Sequence, residues 1–129
     1  MKELILLVNL EGTQDGIAIG SIARNLGVEV KHLNDTDFNQ EVGYLIGLES
    51  YEFDDEADVS SLEDKMMVLH NFSDEQIELF LDVCRQAEVS YIPLKAVTTP
   101  TNVQWRFVEL YKNVKAEFEE MKRLHAGQN

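Results

Sequence analysis

Leu4-Ile5-Leu6-Leu7-Val8 and Met66-Met67-Val68-Leu69 are the two continuously apolar runs that dominate the chain. Neither alternates, so both predict strands covered on two faces. Between and after them the period changes. Ile19, Ile22, Ala23 and Leu26 recur at helical spacing and stop at Gly27. Val28 to Leu33 alternates as an edge strand does, and Ile77, Phe80, Leu81 and Cys84 form a second helical stripe. Ser90 to Leu94 reads as a last strand, with Pro93 placing it at a sheet edge. The final helix is predicted from about Asn102 to Leu124, on the stripe Val103-Phe107-Leu110-Val114-Phe118-Met121. Pairs with capping-box spacing precede three helices: Asp37/Gln40, Ser73/Gln76 and Thr101/Gln104, with Thr99 before Pro100 as a second candidate cap for the last.

The chain also repeats itself. Leu7-Val8-Asn9-Leu10 returns as Leu69-His70-Asn71-Phe72, 62 residues on, and Gly27-Val28-Glu29-Val30 returns as Glu88-Val89-Ser90-Tyr91, 61 residues on. Two βαβ units joined by an insert satisfy this pattern. The expected fold class is a single α/β domain over 1–129, with one four-stranded, mainly parallel sheet in order 2-1-3-4 and helices on both faces. The alternative is a ferredoxin-like α+β sheet, with the two units paired antiparallel about a pseudo-twofold axis. In both, the ends of the third and fourth strands lie together.

The charge balance narrows the partners. The chain holds 24 Asp and Glu against 11 Lys and Arg, a formal −13. Such a field repels phosphate backbones and anionic membrane surfaces, so nucleic acid and membrane are not expected as partners. Eight of the acids fall within residues 49–64, with no base among them. That insert lacks the glycine and alternation of a calcium loop and is expected to be solvated and mobile. One cysteine, Cys84, and no long apolar run predict a cytoplasmic protein.

Candidate chemistry is sparse. The first βα turn, Gly12 to Gly20, matches neither a Walker nor a dinucleotide fingerprint and has no lysine for a phosphate; close packing of the helix on the sheet accounts for Gly16 and Gly20. No histidine has a second histidine or cysteine at metal spacing, so no metal or cofactor is expected. The stretch from Ile92 to Trp105 is richer. A helix start at Thr99, Thr101 and Asn102 beside Lys95 and Thr98 presents free N–H groups and a cation to a small anion. His70 and Asn71, at the end of a central strand, belong to the same end of the sheet, and Trp105 either closes that end or stacks on a ligand.

Leu94-Lys95-Ala96-Val97-Thr98-Thr99-Pro100-Thr101-Asn102 with Trp105, together with Val42-Gly43-Tyr44-Leu45-Ile46-Gly47, resembles the signatures of a small bacterial family catalogued as a domain of unknown function. The resemblance implies that Lys95, Thr98, Thr101, Asn102 and Tyr44 matter together, and it implies no activity. Thr99 departs from the aliphatic residue expected there. No nucleophile–base or metal constellation can be assembled, so the first expectation is a non-catalytic, regulatory or small-ligand-binding module for an anion or a protein partner. A self-associating domain, possible as a homodimer through Val108 and Tyr111 on the last helix, comes second. An enzyme using Lys95 or His70 as acid–base group comes third.

Overall fold

The computed structural model describes residues 2–126. Its elements follow the apolar pattern: β1 (Leu4–Val8), α1 (Gln14–Asn25), β2 (Glu29–Leu33), a short α2 (Val42–Leu45), β3 (Met66–His70), α3 (Asp74–Gln86), β4 (Leu94–Val97), a 3-10 turn (Asn102–Gln104) and α4 (Phe107–Ala126). The strands form one sheet in order β2-β1-β3-β4. Within each unit the strands are parallel, β1 with β2 and β3 with β4, but β1 and β3 meet antiparallel. The order is as expected and the direction is not: the sheet is mixed rather than mainly parallel. It is not ferredoxin-like either, because the two strands of each βαβ unit lie side by side instead of flanking a strand of the other unit.

The repeat explains the geometry. Leu6 pairs with Val68, its own counterpart 62 residues on, so a pseudo-twofold axis passes between them, normal to the sheet. Asn9 and Asn71, the repeat-related residues that leave the central strands, both take left-handed φ, at 59° and 65°. Gly27 and Glu88 do so beyond the helix ends, at 73° and 60°. The outer strands drift out of the sequence repeat. Leu4 pairs with Glu29 while Met66 pairs with Leu94, so β4 starts later than the 61-residue offset implies, and Tyr91 to Pro93 become its approach.

Alternation along the central strands makes two cores. Ile5, Leu7, Met67 and Leu69 face α1 and α3 through Ile19, Ala23, Phe80 and Cys84. Leu6, Val8, Met66 and Val68 face the other layer, with Phe38, Val42, Leu45, Phe107 and Leu110. Each fully buried side chain of this size contributes about 1.5–3 kcal/mol over leaving it exposed. Gly16 lets α1 cross close to the preceding turn, since a Cβ there would sit 1.9 Å from the Leu10 carbonyl oxygen. Gly20 needs another reason: a Cβ there meets nothing within 4 Å, so close packing does not account for it.

The insert has no helix or strand of its own between Glu49 and Lys65, yet it is fastened at several points. Buried Gln40 donates to the Asp54 carbonyl at 2.9 Å and accepts from the Asp54 N–H at 2.8 Å. Arg106 pairs with the Asp54 carboxylate at 2.9 Å, and Asn39 bonds the Asp58 carbonyl and the Ser60 hydroxyl. Tyr51 lies against Gly43, where a Cβ would come within 2.5 Å of its ring. At the exit, Asp64 accepts from the Tyr111 hydroxyl and pairs with Lys115 at 2.9 Å. The Tyr111 bond first, then Lys115, holds the Asp64 carboxyl below its usual range. Of the eight acids, the two that pair, Asp54 and Asp64, are the two half-buried ones. Tyr111, expected on an outward face, is buried by this clamp.

Candidate functional site

The path from β4 to α4 departs most from the sequence expectation. Thr101 and Gln104 do not form a capping box: Thr101 makes no side-chain cap bond, and the Gln104 amide donates to the Pro100 carbonyl. Thr99 and Asn102 form the reciprocal pair instead. The Thr99 N–H donates to Asn102 Oδ1 at 2.8 Å, and the Asn102 N–H donates to Thr99 Oγ1 at 3.0 Å. Asn102 Nδ2 also donates to the Val97 carbonyl at 3.0 Å, so a buried side chain ties off the end of β4. The helix then breaks, because Trp105 is extended and Arg106 bridges Glu41. The first N–H groups of α4 are taken by main chain, Phe107 by the Gln40 carbonyl and Val108 by the Phe38 carbonyl. Only a three-residue 3-10 turn starts at Asn102, and the Val103 and Gln104 amides donate to the Thr99 and Thr101 carbonyls. The open helix N-terminus on which an anion cradle would depend is therefore absent at this turn.

The predicted residues are nonetheless neighbours in part. His70 Nδ1 lies 2.8 Å from the Thr98 hydroxyl, which joins the ends of β3 and β4 as their parallel pairing requires. Burial pushes the His70 imidazole toward its neutral form. Asn71 is the left-handed residue that leads into α3, whose start is closed by the expected Ser73/Gln76 box. Lys95 turns away from the turn: its ammonium donates to the Ile92 carbonyl and lies 4.4 Å from the Tyr91 ring centre, and burial lowers its pKa. The first βα turn, Asn9–Gly16, lies at the opposite end of the sheet, as antiparallel β1 and β3 dictate.

Lys95, Thr99, Asn102 and Trp105 meet again as lining of an open groove of about 530 Å³ along the β4 edge. Its other walls come from both layers, Ile77 and Leu81 of α3 on one side and Leu110 and Val114 of α4 on the other. Sequence reasoning assigned these four to core stripes. Pro93 signalled the edge, but only the sheet order shows that two helices overhang it. The Thr98 N–H donates to the Leu69 carbonyl, which sets the phase of the parallel ladder. Leu94 and Ala96 therefore bond β3, while the N–H and C=O of Lys95 and the N–H of Val97 point away from it, and both residues line the groove.

No helix among the described residues is long and apolar enough to cross a membrane. Neither the curated proteins nor the solved structures contain a match to this chain. Residues 65–121, under half of the chain, match the family described as a domain of unknown function (DUF3783); the match takes in β3, α3, β4, the Thr98–Asn102 turn and most of α4, and it leaves out Val42–Gly47.

Proposed function

We infer that the domain is a non-catalytic binding module whose site is the β4 groove, and that it takes an extended segment of a protein partner as an added strand. One observation carries this reading: Lys95 and Val97, whose N–H groups the ladder phase turns away from β3, both line a groove walled from both faces of the sheet. An added strand sends successive side chains to opposite faces, here toward Ile77 and Leu81 and toward Leu110 and Val114. The lining carries one cation, Lys95, and one acid, Glu117, so an apolar, alternating segment fits it better than a charged one. A small anion at the Thr98–Asn102 turn has less support, since the amides there already donate inside the turn.

Val97→Pro tests the reading. It removes an outward N–H without touching the β3 ladder, which an edge strand tolerates. A random peptide library panned on the wild-type chain is expected to yield segments with alternating apolar residues, and Val97→Pro is expected to lose them while keeping its unfolding midpoint. Selected peptides that bind Val97→Pro equally well, or no selection at all, would contradict strand addition.

A further inference from the structure

The pseudo-twofold axis relates two clefts as well as two folding units. Each lies between a helix and the edge strand that follows it. In the second unit the cleft between α3 and β4 is lined by Leu81, Arg85, Val89 and Lys95. The positions that correspond, counted from the helix end and the sheet register, are Gly20, Arg24, Val28 and Val30, and these line the cleft between α1 and β2. Two differences stand out between the copies. Where Leu81 occupies space, Gly20 leaves it open, and a Cβ on Gly20 would meet nothing within 4 Å. Glycine in a helix interior is unfavourable relative to alanine, and packing does not ask for it here. Second, Arg85 is paired with Asp82, whose counterpart in the first unit is Ser21; among the described residues Arg24 makes no ion pair.

His32 adds a third observation. It lines the same cleft, and its Nδ1 is buried with no hydrogen-bond partner among the described residues. The cleft measures about 350 Å³ and shares Gly20, Arg24 and His32 with a neighbouring lobe of about 410 Å³, which Ser21 also lines. No acidic residue lines either lobe, in a chain of formal charge −13.

We propose that the cleft between α1 and β2 is an oxyanion site that takes the phosphate group of a small molecule. The Arg24 guanidinium supplies a planar fork for two phosphate oxygens. The Ser21 hydroxyl and the His32 ring add donors, and Gly20 lets the ligand approach the helix backbone. The surrounding negative field disfavours diffuse anion binding, so binding here is local and saturable.

The test titrates the isotope-labelled full chain with inorganic phosphate and, separately, with glycerol 3-phosphate, following amide shifts. Saturable shifts at Gly20–Arg24 and His32 are expected. Tighter binding of the ester assigns the site to a phosphorylated metabolite, and equal binding assigns it to free phosphate. Arg24→Gln should weaken binding by roughly tenfold or more, the loss of a charged hydrogen-bonding partner. Gly20→Leu, which copies the second unit, should abolish binding while leaving the unfolding midpoint unchanged or higher. If Gly20→Leu fails to fold, Gly20→Ala and Arg24→Gln decide. An absence of saturable shifts in the folded wild type, or binding that survives both substitutions, overturns the proposal. The β4 groove lies at the other sheet edge, so either result leaves that reading standing.

Discussion

At the scale of residues, Asn102 does what Thr101 was expected to do. It is buried, and its side chain accepts from the Thr99 N–H and donates to the Val97 carbonyl. Asn102→Ala leaves both groups without that partner and is expected to cost about 1–2 kcal/mol in chemical unfolding. Thr101→Ala removes no cap bond and should stay within about 0.5 kcal/mol. Equal losses would mean that the capping pair is misassigned. The comparison shows where local spacing fails. Of the pairs at capping distance, Ser73/Gln76 closes as read and Thr99/Asn102 closes as the alternative. Asp37/Gln40 does not, because the Gln40 amide goes to Asp54 and Asp37 accepts from the Asn34 N–H. A motif of four residues records who can reach whom, and a partner distant in sequence can claim the same group.

Elements were more legible than their connections. Strands and helices with strong apolar periodicity appear where the pattern puts them, to within a few residues, but the last strand, read at Ser90 to Leu94, forms at Leu94–Val97 instead. The long last helix does not run through from Asn102, because residues 105–108 pair with the 38–42 segment through Trp105, Phe107 and Val108. That interaction has no local signature. In the acidic insert, charge counts report the solvated side, whereas the fastening uses main-chain groups and the two acids that pair. Replacing Tyr51–Ser60 with a short Gly/Ser linker strands the buried Gln40 amide and removes the Asp54–Arg106 pair. The expected loss is about 2–3 kcal/mol at the unfolding midpoint. A loss below about 0.5 kcal/mol would restore the picture of a free loop.

At the scale of the whole molecule, the sequence carries the strand order and leaves the direction open. Apolar central strands demand two covered faces whichever way they run, and the insert joining the units is long enough to return the chain in either sense. The repeat held the answer in the pairing of Leu6 with Val68, which follows only once β1 and β3 are known to be neighbours. The antiparallel junction sends the first βα turn to one end and His70 with Thr98 to the other, and it leaves β2 and β4 as the two edges. Both candidate sites lie along those edges, where a helix overhangs the open side of an edge strand.

Whether β4 is open for pairing is measured most directly by amide hydrogen exchange across Leu94–Thr98. Lys95 and Val97 point outward and should exchange fast, while Ala96 and Thr98, bonded to β3, should be protected. A bound peptide should then slow Lys95 and Val97 selectively. Equal protection of all four amides in the free protein would mean that the edge is already covered, and strand addition at β4 would have to be abandoned.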